Sequence, residues 1–330
     1  MTETEMPARP RTALVLAAFA AVYLAWGSTY AAIRIAIDTM PPLLMAGARF
    51  LLAGTLLYAI MRLRGEPAPE RRHWGSTAFI GLLLLMLGNG GVTMAERTVP
   101  TAIVALLVAM VPMWMVLLEW LRPGGTRPTA RTILGLMIGF AGIILLVGPG
   151  SLAGGGRVDP MGVLIVTVAS VAWAFGSIWS RGAPLPRNAL TATGMEMMWG
   201  GAWLLLAGSL RGELAALDPS GFTTESVLAY FYLVVVGSLI GFTAYVWLLG
   251  VSTPARVSTY AYVNPVVAVL LGWALLDEPL SWRVLAAAAV IVAAVMVITL
   301  GKRPHAAPVP SAEIAKAVRE RTRTGRRSAA

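Results

Sequence analysis

The sequence predicts an all-α integral membrane protein with ten transmembrane helices, arranged as two inverted five-helix repeats. Three observations predict it. The chain has 330 residues, of which 57% are hydrophobic and only 13% are charged, a composition foreign to water-soluble domains. Nearly charge-free runs of about 18 to 25 residues recur along the chain, each long enough to cross a hydrocarbon core. The second half of the chain also echoes the first.

The ten apolar runs are predicted to be helices, because lipid offers no partner to free backbone groups and the runs show no alternating pattern. The first run is taken as an uncleaved span, since it continues through Trp26 and Tyr30 and nine more runs follow it. The predicted spans are 12–33, 42–61, 75–95, 101–121, 131–149, 160–180, 188–209, 226–249, 254–276 and 282–301.

Basic residues predict the orientation of these spans. Ten spans place both termini on one side, and fourteen Arg and Lys residues near the spans fall on that side against five on the other. Because cytoplasmic loops carry the excess of positive charge, both termini are predicted to be cytoplasmic. Lys302 and Lys316 are the only lysines, a bias typical of GC-rich bacterial genomes, so we predict a multi-pass protein of the bacterial inner membrane.

The net charge of +10 follows from this topology and from a basic tail, so no nucleic-acid partner is predicted. The tail, 302–330, is expected to be cytoplasmic and disordered. A second interpretation, in which it rests on anionic lipid headgroups, stays open.

An internal repeat links the two halves. AWGSTYAAIR at 25–34 is echoed by AWAFGSIWSR at 172–181, with Trp26 matched to Trp173 at an offset of 147. The same offset matches Arg49 with Glu196, and from the third span onward the offset becomes 153. Further matched pairs are Gly47 with Gly194, Gly54 with Gly201, Gly88 with Gly241, and Pro112 with Pro265.

Five spans per half is an odd number, so the second half enters the membrane with the opposite orientation. Inverted halves are a recurring plan of secondary transporters, with the ligand near mid-membrane between the repeats. The predicted organisation is a first repeat at 12–149, a Gly-rich linker at 150–159 and a second repeat at 160–301.

Several chemistries are excluded by residue content. The chain has no cysteine, and its two histidines, His73 and His305, lie outside the spans, so no metal centre or cofactor is expected. The linker segment GPGSLAGGGR lacks the Lys-Ser/Thr ending of a phosphate-binding loop. No catalytic residue is nominated, and the chain is predicted not to be an enzyme.

Two charged residues, Arg49 and Glu196, lie well inside predicted spans and away from the span ends, where burial of a charge costs about 2.5 to 3.5 kcal/mol on insertion scales. Arg49 in span two is either an interior partner for an anion or a structural link between helices. Glu196 occupies the matched position in span seven and is a candidate proton-carrying carboxylate. A direct Arg49–Glu196 pair is compatible with the depths of the two residues but is not required.

Two matched prolines and their polar or aromatic neighbours are candidates for lining a cavity. Pro112 and Pro265 each remove a helical N–H, which predicts a kink and free carbonyl groups in spans four and nine. For each aromatic residue, packing or anchoring at the lipid interface is the competing interpretation. The candidate substrate-binding residues are Trp26, Ser28, Tyr30, Asn89, Trp114, Trp173, Tyr245, Tyr262 and Asn264.

These motifs resemble the EamA-type ten-helix family of the drug/metabolite transporter superfamily, and within it the inner-membrane exporter subgroup. The segments that carry the resemblance are AWGSTYAAIR, PPLLMAGARFLLAG, LGNGG, VAMVPMW, SVAWAFGSIWSR and TYAYVNPVVAVLLGW. The resemblance extends from about residue 12 to 301. It implies a central cavity lined by spans 1, 3, 4, 6, 8 and 9, alternating access, and site roles for Trp26, Ser28, Tyr30, Arg49, Trp173, Tyr262, Asn264 and Pro265.

The predicted function is therefore secondary active export of small metabolites, amino acids or amphipathic drug-like compounds across the plasma membrane, with proton coupling through Glu196 as a hypothesis. An integral-membrane enzyme and a channel are the alternatives. The expected partners are a small-molecule substrate and the lipid bilayer. A monomer is compatible with this plan, and the oligomeric state is left open.

Overall fold

The computed structural model describes residues 12–125, 127–147, 159–252, 254–257 and 259–300, without the side chains of 146, 147, 254, 255, 262 and 298–300. Most of the predicted linker and all of the predicted tail at 302–330 lie outside the described residues. Within the described part, every regular element is a helix. The all-α prediction is confirmed for this part of the chain.

Ten long helices, α1 to α10 in chain order, and three single helical turns make up the regular secondary structure of the described part of the chain. The single turns lie at Ser180–Gly182, Pro219–Gly221 and Pro254–Val257. The long helices are α1 Thr12–Ala36, α2 Pro42–Leu63, α3 Arg71–Ala95, α4 Thr101–Leu121, α5 Ala130–Val147, α6 Pro160–Trp179, α7 Ala189–Leu210, α8 Thr224–Val251, α9 Tyr260–Leu276 and α10 Trp282–Leu300.

Among the described residues, six helices are long and apolar enough to cross a membrane, namely α1, α2, α3, α4, α6 with its following turn, and α8. Shorter apolar stretches occupy α5, α9 and α10. Helix α7 spans 22 residues but carries Glu196. The chain is thus an all-helical membrane protein, while the count of ten spans in two inverted repeats stays a prediction.

Contacts between helix ends define two sides of the molecule. We call the side where α1 begins at Thr12 the proximal side, and the side where it ends at Ala36 the distal side. On the distal side, the Ser226 hydroxyl near the start of α8 donates to the Ile35 carbonyl at 2.9 Å. On the proximal side, the Asn188 amide before α7 donates to Glu66 after α2 at 2.6 Å.

Two glutamates at matched positions, Glu66 and Glu213, act at opposite ends of the α2/α7 pair. Glu213 follows α7 and accepts the N–H of Leu43 at the start of α2 at 2.9 Å. Glu66 follows α2 and holds Asn188, whose side chain accepts the N–H of Leu190 at the start of α7 at 2.9 Å. Each acid thus supports the free N–H groups and positive dipole of its partner helix.

Helices α2 and α7 cross through four matched glycines. A Cβ atom on Gly54 would lie 2.7 Å from the carbonyl oxygen of Gly194, and one on Gly47 would lie 3.0 Å from that of Gly201. Side chains would keep the backbones apart, so glycine permits this contact. Because Gly47 matches Gly194 and Gly54 matches Gly201, the repeat positions meet crosswise, as expected of an inverted pair.

Helices α3 and α8 share an irregularity that no local sequence signal predicts. Each contains an eight-residue π-helical segment, Leu82–Asn89 in α3 and Leu233–Ile240 in α8. Such wide turns are rare and occur frequently at functional sites. The matched glycines Gly88 and Gly241 lie within or directly after these segments.

Candidate substrate site

Trp26 of α1 lies at the centre of an aromatic cluster. Its ring centroid is 5.1 Å from that of Phe242, 5.0 Å from that of Tyr245 and 5.1 Å from that of Tyr260. The indole Nε1 donates to the carbonyl of Gly237 in α8 at 3.3 Å. Offset and edge-to-face contacts at these distances are favourable, so the cluster holds α1, α8 and α9 together.

This cluster lies towards the proximal side. Tyr260 is the first residue of α9, and Tyr245 stands about two turns before the proximal end of α8. Nearby, the hydroxyls of Tyr23 in α1 and Thr259 before α9 form a hydrogen bond of 2.5 Å. Together these contacts close the space between α1, α8 and α9 on the proximal side.

Trp173 of α6 makes the equivalent contact in the other half. A Cβ atom on Gly88 of α3 would lie 2.9 Å from Cε3 of Trp173, just as one on Gly241 of α8 would lie 2.6 Å from Nε1 of Trp26. Trp26 matches Trp173 and Gly241 matches Gly88. The structure therefore pairs each tryptophan with a glycine of the opposite half.

Ser28 and Tyr30 occupy different surroundings. The Ser28 hydroxyl donates to the Leu24 carbonyl at 2.6 Å and meets the Tyr232 hydroxyl of α8 at 2.6 Å. Tyr30 packs against the hydrophobic core that includes Ile103 and Met110 of α4. Ser28 thus links α1 to α8, and Tyr30 packs α1 against a core to which both halves of the chain contribute.

Arg49 is buried, with 2% of its surface exposed. Its Nε donates to the Ser238 hydroxyl at 3.0 Å, and its guanidinium carbon lies 4.6 Å from the centroid of the Phe50 ring. Among the described residues its Nη1 has no partner. The contact with Ser238 gives Arg49 a structural role between α2 and the π-helical segment of α8, while Nη1 leaves an interior donor available.

Glu196 is partly buried on α7. Within the described residues it forms no ion pair with Arg49, whose hydrogen bond goes to Ser238 instead. Arg49 and Glu196 are therefore not paired with each other in this conformation.

The remaining candidates are distributed over several helices. The Oδ1 atoms of Asn89 in α3 and Asn264 in α9 are buried and unpartnered within the described part, and Trp114 meets the Phe140 ring at 5.8 Å. Helix α4 is interrupted at Ala109–Met110, directly before the segment that contains Pro112, whereas α9 continues through Pro265. The side chain of Tyr262 lies outside the described residues.

A cavity of about 640 Å³ opens on the distal side. The ends of α1 and α9, the start of α8 and the α3–α4 connection form its wall. Six ionisable side chains line it: Arg34, Asp38, Glu96, Arg97, Glu225 and Glu278. Of these, Glu278 has a structural role, because its carboxylate accepts hydrogen bonds from the N–H groups of Thr101 at 2.6 Å and Ala102 at 3.1 Å.

Glu96 is the most buried charged residue that lines the cavity, and, like the other lining residues, it is not among the candidates predicted from the sequence. Only 1% of its surface is exposed, and neither carboxylate oxygen has a hydrogen-bond partner among the described residues. In the sequence Glu96 follows span three and precedes Arg97, a position typical of a solvent-exposed acid in a loop. The only sequence feature that could have indicated its burial is its position directly after the helix, which ends at Ala95.

A second, smaller cavity of about 380 Å³ lies on the proximal side. Arg122 at the end of α4 and Trp179 at the end of α6 contribute to it, together with Gly182 and its neighbours. By the repeat offsets, α4 and α6 correspond to α9 and α1, which line the distal cavity. Related helix ends thus border a larger opening on one side and a smaller one on the other.

The fold and this site define the class of the protein: an all-helical membrane transporter whose interior is more open on one side. The chain belongs to the EamA-like transporter family, whose model matches residues 12–148 and 160–300. This membership supports a membrane transporter of the drug/metabolite type.

Two of three similar curated proteins are named as transporters. The chain is 43% identical over 295 residues to the inner membrane transporter YedA of Escherichia coli (strain K12), covering 88% of this chain and 93% of that one. It is 26% identical to the transporter YvbV of Bacillus subtilis (strain 168), covering 91% and 96%. It is 27% identical to protein PecM of Dickeya dadantii (strain 3937), covering 83% and 88%.

A solved crystal structure shares the fold, with a TM-score of 0.56 and 24% identity, covering 88% of this chain and 97% of that one.

Proposed function

We propose that the chain is a secondary active transporter that exports small metabolites, amino acids or amphipathic compounds across the bacterial inner membrane by alternating access. One observation carries the proposal. The distal parts of α1, α8 and α9 border the cavity of about 640 Å³, while the same helices meet further towards the proximal side in the cluster around Trp26. A path closed on one side and open on the other is what one state of such a cycle requires.

The inverted halves supply the other state of the cycle. We take 12–149 and 160–301 as the two repeats, with both termini in the cytoplasm and the distal cavity facing outward. The matched contacts of Trp26 with Gly241 and of Trp173 with Gly88 support this plan. If the halves exchange packing, the distal cavity closes and the proximal cavity widens.

The proposed substrate contacts are ring faces and a few polar groups. Trp26 and Tyr245 offer aromatic surface, Ser28 offers a hydroxyl, and the buried Oδ1 atoms of Asn89 and Asn264 offer acceptors. Trp173 offers the corresponding ring in the other half. This combination suits molecules with both apolar and polar parts.

Proton antiport is the proposed coupling, and the sequence nominates Glu196 for it. The test is net transport driven by a pH gradient in liposomes that contain the Glu196→Gln variant. Full transport by this variant would remove Glu196 from the mechanism.

The proposed export is tested by extracellular accumulation of a panel of amino acids and toxic analogues, measured with and without expression of the chain. We expect at least one compound to accumulate, and Trp26→Ala to lower its accumulation by about tenfold or more. Trp120→Ala is the matched control, because Trp120 is 45% exposed and makes none of the ring contacts of the cluster around Trp26. Equal accumulation with and without the protein, for every compound, contradicts export of this panel.

A further inference from the structure

Glu96 is the most buried of the charged residues that line the distal cavity, with 1% of its surface exposed. It lies one residue beyond α3, between that helix and the start of α4. Both of its carboxylate oxygens lack a hydrogen-bond partner in the described part of the chain. An ionised carboxylate in such a place is costly, so the group must either take up a proton or gain a partner.

Several charged side chains line the same cavity as Glu96 or interact with it electrostatically. Arg34 and Asp38 face the cavity from the end of α1 and the connection after it, Glu225 from α8, and Glu278 from the connection after α9, while Arg97 is its chain neighbour. Arg49 of α2 and Tyr30 of α1 interact with it electrostatically. None of these groups forms a hydrogen bond or ion pair with Glu96 among the described residues.

Burial raises the pKa of Glu96 well above the usual value for a glutamate, and the nearby Glu278 carboxylate raises it further. Arg34 and Arg49 act in the opposite sense. The protonated form of Glu96 is therefore favoured at a pH at which surface carboxylates are ionised.

Glu96 also breaks the symmetry between the halves. With the offset of 153 that relates α3 to α8, its counterpart is Leu249. The buried acid therefore has no equivalent at the matched position on the proximal side. The two sides of the interior therefore differ in their response to a proton.

We propose that Glu96 is the proton-binding residue of the transport cycle and is loaded from the distal side through the cavity. Its part in transport rests on the proposed function, whereas proton binding itself does not. Glu196, the acid nominated from the sequence, does not border the distal cavity. Glu96 combines burial, unpartnered oxygens and a place in the wall of a cavity that opens on the distal side.

Protonation of Glu96 controls the distal opening in this scheme. The ionised carboxylate favours a wider opening that admits water to it, because a buried charge without a partner is costly. A proton taken from the distal side neutralises the carboxylate and favours the buried arrangement seen in this structure, from which α1, α8 and α9 can close further. The same proton leaves to the proximal side once the halves have exchanged packing.

The approach to Glu96 is tested by cysteine labelling, which is clean because the chain has no cysteine of its own. Full-length Glu96→Cys is treated with a membrane-impermeant thiol reagent in vesicles of either orientation. Arg97→Cys, at an exposed position, is the positive control, and Thr93→Cys, at a fully buried position one turn earlier, is the negative control. We expect Glu96→Cys to react from the distal side only, more slowly than Arg97→Cys and faster than Thr93→Cys.

Proton binding is tested by infrared difference spectroscopy of the full-length protein in liposomes, with the proton as the only ligand. The expected result is a protonated-carboxyl band, at a pH above the usual range for a glutamate, of which one component is lost in Glu96→Gln and kept in Glu196→Gln. Glu96→Asp, which retains a carboxyl group, should keep the signal with a shifted midpoint. If Glu96→Gln fails to fold, the shifted midpoint in Glu96→Asp still tests whether residue 96 binds the proton.

Labelling of Glu96→Cys no faster than that of Thr93→Cys would overturn the proposal, as would a carboxyl band that Glu96→Gln leaves unchanged. Neither measurement requires a transported compound. A failure of the export test with these two results intact therefore refutes the proposed function alone. A normal export test with no Glu96 signal refutes this inference alone.

Discussion

The indole of Trp26 on α1 lies against the bare backbone of Gly241 on α8, where a Cβ atom would stand 2.6 Å from Nε1. The same arrangement joins Trp173 on α6 to Gly88 on α3. Each contact connects one half of the chain to the other half. A side chain at either glycine would have to displace a tryptophan, so these two contacts couple the positions of four helices.

Gly241→Ala is expected to displace the Trp26 ring and lower the free energy of unfolding by about 1 to 3 kcal/mol, the usual range for overpacking. Thermal unfolding in detergent measures the change. Gly250→Ala on the same helix is the control, because an added Cβ meets nothing within 4 Å there and alanine favours a helix. Equal stability of the two variants contradicts the packing described here.

Gly54→Ala should cost more than Gly241→Ala. The added Cβ would lie 2.6 Å from the backbone nitrogen of Met198 and 2.7 Å from the carbonyl oxygen of Gly194, and backbone atoms cannot rotate away as an indole can. Unfolding in detergent again provides the measurement. Gly75→Ala in α3, where a Cβ meets no neighbour, is expected to leave stability unchanged or slightly raised.

The Arg49–Ser238 hydrogen bond is expected to contribute to stability as a buried contact to a charged group, by about 1.5 to 3 kcal/mol. A double-mutant cycle with Arg49→Gln and Ser238→Ala isolates the pairwise term. We expect the two single variants to lose similar amounts and the double variant to lose little more than either. Additive losses would show that the two residues act independently.

The Asp159 cap of α6 makes stability depend on pH. Asp159 accepts the Thr98 hydroxyl at 2.7 Å and the N–H of Met161 at 3.0 Å. These bonds, led by that from Thr98, hold the pKa of Asp159 below its usual value. In the unfolded chain the pKa is about 3.9, so the ionised cap stabilises the fold above that pH, and the contribution disappears as the pH falls through the lower, folded pKa.

Asp159→Asn should therefore be less stable than the natural chain near pH 6, with the difference shrinking as the pH falls towards about 3. Thermal unfolding at several pH values measures this difference. A gap of constant size across that range contradicts the assigned role of the ionised cap.

The matched positions of the two halves can be predicted from the sequence, because the two halves share residues at a constant offset. The offset of 147 matches Trp26 with Trp173 and Gly54 with Gly201. The offset does not predict which residue each of these contacts. That Trp26 meets Gly241 and that Gly54 meets Gly194 depends on how the halves pack, which is tertiary information.

Other features left no local signal. The π-helical segments at Leu82–Asn89 and Leu233–Ile240 lie in uniformly apolar runs, where the sequence does not distinguish one helical hydrogen-bond pattern from another. Glu96 stands in AERTVP, a segment that indicates a solvated loop. Its burial arises only when α1, α8 and α9 assemble around it.

Alternating access requires that the two sides of the interior open in turn. Distances between spin labels on double-cysteine variants test this requirement. One variant carries labels at Asp38 and Glu225 of the distal cavity, and the other at Arg122 and Gly182 of the proximal cavity. Measurements at high and low pH, with and without a compound that accumulates in the export assay, should give two distance populations for each pair. A change of pH or an added compound that shortens the distance between the distal labels should lengthen the distance between the proximal labels. A single, unchanging distance for both pairs under all of these conditions would contradict alternating access.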